Sequence, residues 1–210
     1  MPWLQAPELV EALHKRGCAK LARRTALEPA PVPPEIETLD SQLVYQNRWM
    51  TVREDRIRRR DGSTGLYGVV EKKDFAVIAA VQDGQVHLVE QYRYPVRGRY
   101  WELPQGTWDA EHDDPLALAR AELLEETGVV AESMVLAGKL FLAYGFCNQA
   151  YSVFLATGLR QQAAQRELEE QDMVARCVPL AEVDRMMADG RIADATTVAA
   201  FGLLRLKGLL

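Results

Sequence analysis

Residues 101–130 read WELPQGTWDAEHDDPLALARAELLEETGVV, a span in which a strand, a glycine-bearing loop and a helix follow one another. Asp114-Pro115 opens the helix, because Asp accepts from orphan N–H groups at an N-cap and Pro suits the first helical position. Leu116, Ala119 and Leu123 supply its apolar face, and Gly128 closes it. Glu122, Glu125 and Glu126 fall three and four positions apart on another face, near the end where the macrodipole disfavours negative charge. Like charges at that spacing cost roughly 0.2–0.5 kcal/mol per pair. Either the helix has a solvated acidic face or its carboxylates hold a cation. A hard divalent ion such as Mg²⁺ takes carboxylate and carbonyl oxygens and keeps several waters. The loop at Gly106 can add a backbone carbonyl to such a set.

Outward from this span the pattern is mixed. On the N-terminal side, VYQNRWMTVREDRIR, GLYGVVEKK, FAVIAAV and QVHLVEQYR form a run of β segments within residues 44–93, followed by the short strand RYWEL. Asp83-Gly84 between two apolar runs predicts a type I′ hairpin. On the C-terminal side, strands are expected around 133–142, 150–157 and 172–178, then helices near 180–189 and 194–206 with Gly190 between them. Residues 7–27 have helical spacing, and EPAPVPPE at 28–35 reads as a stiff extended linker. The expected organisation is a helical appendage with its linker over residues 1–37 and one α+β domain over 38–210, whose strands at 38–73 form an N-terminal subdomain.

Composition narrows the function. The chain has 210 residues, 48% of them apolar, and a net charge of −5. No basic stripe dominates, which argues against a nucleic-acid partner. The run RIRRR at 56–60 reads as a solvent-facing strand end. Cys18, Cys147 and Cys177 are scattered without CxxC spacing, which fits a reducing compartment and neither a disulfide framework nor a zinc site. Apolar runs such as FAVIAAV are too short to span a bilayer, and the first residues lack the basic-then-apolar order of a signal peptide. A soluble cytoplasmic protein with no membrane partner is expected.

With the glycine loop and the β order around it, the acidic helix resembles the Nudix box, R-E-hydrophobic-x-E-E-x-G. Glu122, Leu123, Glu125, Glu126, Gly128 and Val129 match it residue by residue. The resemblance covers roughly residues 40–207 and implies the Nudix fold, a mixed β-sheet sandwiched between helices. It also implies hydrolysis of a nucleoside diphosphate linked to another moiety, with Mg²⁺ as cofactor and Mn²⁺ as a substitute. Glu122 and Glu126 would be the chief metal ligands, with Glu125 as ligand or base. EQYRYPVRGRYWELPQG at 90–106 and YGFCNQAYSVFLA at 144–156 are similar to the ADP-ribose pyrophosphatase branch. By that analogy the Gln105 carbonyl is a metal ligand and Glu102 a nearby carboxylate. Arg93 and Arg97 would hold the phosphates or terminal ribose, and Gln149 would face the substrate. The branch also implies a homodimer in which residues 42–73 swap between subunits.

Three departures stand out, in the box arginine, in the loop length and after the box. The arginine that braces the glutamates in the family falls at Ala121, with Arg120 one position early. The loop from Gly106 is one residue longer than usual, which puts Asp113 where the first glutamate is expected. After the box the branch has Pro-Gly and then Glu, whereas this chain has Tyr144-Gly145 and Gln149. An amide cannot act as a base, so another acid is needed, with Glu125 and the run at Glu167, Glu169 and Glu170 available. These departures favour the second reading, a catalytically weak or inactive Nudix-fold module that senses a ligand or binds a partner. Trp101 and Trp108 read equally as base-stacking or packing residues. His14 and His87 have no visible ligand partners, His112 reads as a solvated loop histidine, and Met186 and Met187 read as core filling.

Overall fold

The computed structural model describes residues 34–107, 114–162 and 172–210. The expected N-terminal helix and most of its linker lie outside the described residues, as do Trp108, His112, Asp113, Glu167, Glu169 and Glu170. Ile36–Leu210 forms one unit, so its first strand starts two residues before the expected boundary.

Three antiparallel strands come first: β1 (Ile36–Gln46), β2 (Thr51–Arg59) and β3 (Thr64–Glu71), in that spatial order. The segment VYQNRWMTVREDRIR is divided between two of them. Asn47 Oδ1 accepts from the N–H groups of Trp49 and Met50, both at 2.9 Å, and this local bond turns the chain. In the basic run Ile57 faces inward, while exposed Arg58 pairs with Glu37 of β1 at 3.1 Å. The run is therefore a strand end whose charges are partly matched within its own sheet.

The central sheet runs β10 (Val174–Pro179), β5 (Gln85–Arg93), β4 (Phe75–Gln82), β9 (Ala150–Gln161), β8 (Val129–Phe141). β4 and β9 are parallel, and the other pairs are antiparallel. Two short strands attach to it: β6 (Gly98–Glu102) along β5 and β7 (Gln105–Gly106) along β4. The hairpin at Asp83-Gly84 forms as expected, with φ of 52° and 70° at the two turn residues.

β4 is apolar from Phe75 to Val81 because both its faces are covered. Ala76, Ile78 and Ala80 meet Leu118, Ala119 and Leu123 of α1 (Pro115–Thr127), together with Phe154. Val77 and Ala79 belong to the opposite core, with Val183 and Met186 of α2 (Leu180–Ala188) and Phe201 and Leu204 of α3 (Ala195–Leu206). Each large apolar side chain buried this completely stabilises the fold by roughly 1.5–3 kcal/mol. Met186 fills core as expected, and Met187 packs on its edge. The arrangement is the expected α+β sandwich, a mixed sheet between helices.

Helix α1 starts and stops where the sequence predicts. Asp114 Oδ1 accepts from Leu116 N at 3.0 Å, and Gly128, at φ 71°, returns its N–H to Leu124 O at 2.8 Å. Its faces differ from expectation. Leu116 is exposed, and Leu118 takes the buried position instead. Glu126 lies on the buried stripe with Ala119 and Leu123, at 1% exposure, while Glu122 and Glu125 are half-buried. Positions 119, 123 and 126 are spaced four and three apart, so the helix turns Glu126 inward together with its apolar neighbours.

Candidate active site

A cleft of about 750 Å³ opens beside the β6–β7 segment, with Arg93, Glu102, Gln105, Gly106, Gln149 and Asp194 among its lining residues. Gln105 and Gly106 meet α1 through two contacts, although Glu122, Glu125 and Glu126 are not themselves among the residues that line the cleft. Gln105 N donates to Glu126 Oε2 at 3.1 Å. At the next residue, a Cβ built on Gly106 would collide with the carboxylate carbon and both oxygens of Glu122. Only a residue without a side chain lets the loop lie this close to the carboxylate. The loop and the acidic helix therefore meet at two glutamates, one buried and one half-buried.

Glu102 is buried at 2% exposure and forms an ion pair with Arg93, whose side chain is 41% exposed. Arg93 Nε donates to Glu102 Oε2 at 3.3 Å, and Gln91 Nε2 donates to Oε1 at 2.6 Å. Burial pushes the Glu102 carboxyl above its usual range and the charge of Asp194 adds to this, while Arg93 and Gln91 oppose it. Arg93 thus enters the cleft already braced by a buried carboxylate. Arg97 is exposed in the left-handed region at φ 52° and is not among the residues that line the cleft.

Gln149 is buried, and its amide Nε2 donates to Lys73 O at 2.6 Å. It belongs to a seam that stitches the 143–150 loop along residues 67–74. Tyr67 Oη donates to Gly145 O at 2.8 Å, Val70 N to Phe146 O at 2.8 Å, and Lys72 N to Asn148 Oδ1 at 3.0 Å. Ala150 N closes the seam on Asp74 Oδ1 at 2.9 Å. The amide at position 149 therefore has a structural task that needs a donor. Arg120 Nη1 donates to Ala131 O on β8 at 3.0 Å, which fastens α1 to the sheet.

Asp194 has no role in the sequence reading, yet it joins this group. It caps α3 and accepts from Gln105 Nε2 at 3.3 Å. The only local signal is Asp before a helical run, which marks a cap; the bond to Gln105 spans 89 positions. Trp101 packs at the edge of the core with Arg176 5.5 Å over its ring, the arrangement of a packing residue. His87 lies on β5 opposite Cys177 and away from the cleft, and burial depresses its pKa.

With this geometry in place, comparison with known proteins is decisive. Residues 72–201 match the NUDIX domain, and residues 36–70 match the N-terminal domain of nucleoside diphosphate sugar hydrolases. The chain belongs to the Nudix family.

Among its relatives is an ADP-ribose pyrophosphatase of Mycobacterium tuberculosis, 33% identical over 79% of this chain and 81% of that protein. A Bacillus methanolicus protein named methanol dehydrogenase activator is 28% identical over 82% and 94% of the two chains. A GDP-mannose pyrophosphatase of Yersinia enterocolitica is 29% identical over 84% and 98%. A solved ADP compounds hydrolase has the same fold, with a TM-score of 0.74 at 21% identity over 84% of this chain and 96% of that one.

The Nudix family uses a divalent metal. Among the described residues no three His, Cys, Asp or Glu side chains are grouped to hold one, and Asp113 lies outside them. The groups on α1 that meet this backbone are carboxylates: Glu126, which accepts from Gln105 N, and Glu122, which lies against Gly106. Oxygen donors of this kind fit a hard divalent cation. Among the described residues no helix is long and apolar enough to cross a membrane.

Proposed function

We propose that this Nudix pyrophosphohydrolase splits the diphosphate of ADP-ribose or a nucleotide sugar with Mg²⁺ and releases two phosphomonoesters. The observation that carries the reading is the meeting of Glu126 and Glu122 with the backbone of Gln105 and Gly106, two residues that line the cleft. The names of the relatives support the substrate class, and the match of residues 36–70 supports a nucleotide-sugar-type substrate.

Glu122, Glu126 and the Gln105 carbonyl would hold the cation. Bound there, it neutralises the diphosphate and lowers the pKa of a water. Glu125 serves as a further ligand or base. Arg93, held by Glu102, directs its guanidinium at a phosphate or the terminal ribose, and Arg97 acts from the rim. Gln149 shapes the wall of the cleft. A panel of ADP-ribose, nucleotide sugars and dinucleotides with Mg²⁺ or Mn²⁺, scored for phosphomonoester release, tests the reading.

The second reading, a module that binds a ligand or partner without turnover, draws on Ala121 and Gln149. The same panel excludes it if any substrate is split.

We also propose a cytoplasmic homodimer completed through the N-terminal strands at 38–73, with residues 1–37 a separable appendage. Leu43, Val44, Tyr45, Trp49 and Leu66 are exposed on β1–β3 and the turn between β1 and β2, an apolar surface that a second copy would cover. Sedimentation at micromolar concentration should report about twice 23.6 kDa. A clean monomer would rule the dimer out.

A further inference from the structure

The segment 103–105 pairs with β4, where Ile78 N donates to Pro104 O at 2.9 Å, and side chains hold it from two further sides. On the α1 side, Gln105 N donates to Glu126 Oε2 at 3.1 Å. On the other side stands the first turn of α3. Asp194 Oδ2 accepts from Thr197 N at 2.8 Å and from Thr197 Oγ1 at 2.7 Å, and Oδ1 accepts from Thr196 N at 3.3 Å. The same Oδ2 accepts from Gln105 Nε2 at 3.3 Å. Thr197 Oγ1, while donating to Asp194, accepts from Leu103 N at 3.0 Å. Leu103 and Thr197 are both fully buried.

An N-cap side chain ordinarily satisfies N–H groups of its own helix. Here one carboxylate oxygen also gathers two connections from the segment opposite. One is direct, through the Gln105 amide. The other is relayed, because the Thr197 hydroxyl has one proton for Asp194 and lone pairs for Leu103. The Leu103 N–H would otherwise be buried away from water, so the relay is costly to break. Residues 103 and 105 are thereby fixed to α3 while residue 105 is fixed to α1.

We propose that Asp194 is a positioning residue for the cation site. Through Thr197 and the Gln105 side chain it fixes the 103–106 backbone, and so sets how the Gln105 carbonyl, Glu122 and Glu126 face the metal. Groups that orient metal ligands from behind typically change affinity or activity 10–100-fold when lost. The proposal rests on the cation reading given above.

Two variants cut the Gln105 connection from opposite ends. Asp194→Ser keeps a competent helix cap but is too short to reach the Gln105 amide. Gln105→Ala removes that amide and leaves the backbone N–H and carbonyl in place. Hydrogen exchange in metal-free protein reads the Leu103 and Gln105 amides, and titration with Mn²⁺ alone reads cation affinity by electron paramagnetic resonance.

Each variant should exchange faster at the backbone amide of position 105 and bind Mn²⁺ about tenfold more weakly. The double variant should be no worse than Asp194→Ser alone, and the melting temperature should stay near native. Native exchange and affinity in both single variants would overturn the proposal, as would strictly additive losses. If Asp194→Ser melts early, Gln105→Ala decides on the same two readouts. If the native protein binds no Mn²⁺, the cation reading fails, and exchange at Leu103 and Gln105 alone decides whether the Asp194 connection holds the loop.

Discussion

Gly106 and Glu122 are in such close approach that any side chain at position 106 would occupy the space of the Glu122 carboxylate. The glycine has no positive φ to excuse it. It is required by proximity, not by backbone conformation.

Gly106→Ala should therefore separate folding from function. The atoms it strikes are the far end of a flexible side chain, so Glu122 can swing aside and the fold survives. If Glu122 is a ligand as proposed, displacing its carboxylate by about an ångström should lower turnover about 10²-fold. Thermal melting alongside kcat checks this. Native turnover in a folded variant would show that Glu122 does not act from its observed position.

Gln149→Glu tests whether position 149 is a vacant base site or part of the seam. The amide donates to Lys73 O at 2.6 Å, and a carboxylate would set acceptor against acceptor in a buried place. Loss of that bond with an unsatisfied buried group costs about 1–3 kcal/mol. The variant should melt earlier and hydrolyse no faster. A faster enzyme with unchanged stability would restore the base assignment.

These two positions show what the sequence exposes and what it hides. The hairpin at Asp83-Gly84 and the helix between Asp114 and Gly128 were legible because each signal is local: two turn residues, a cap and a stop. The meeting of the acidic helix with the glycine loop was legible only through the family pattern. The burial of Glu126 was not, because α1 mixes polar and apolar residues on its inward stripe and periodicity has no clean face to find. The partners of Gln149 and Asp194 lie 76 and 89 positions away. No spacing rule reaches that far, since tertiary packing alone brings them together.

Glu102 predicts a pH effect on stability. Its folded pKa is raised, chiefly by burial, above the unfolded carboxyl value of 4.5. The folded state thus holds its proton more tightly. The associated stability is fully present below pH 4.5 and is lost as pH rises through the raised folded pKa. Glu102→Gln cannot titrate, so its metal-free melting temperature should fall less than that of the native protein as pH rises across this window. Parallel melting curves would show that Arg93 and Gln91 cancel the burial effect.

The most direct test of the central claim is phosphomonoester release by the native protein and by Glu126→Gln, each with Mg²⁺ and ADP-ribose or a nucleotide sugar. The native protein should split at least one of these. Glu126→Gln keeps an acceptor for Gln105 N but loses the buried charge. It should remain folded, with metal-free stability equal or higher, while turnover falls by about 10²–10³-fold, the scale of losing one electrostatic catalytic group. A native protein that splits none of these substrates, or a Glu126→Gln variant as fast as native, would contradict the account.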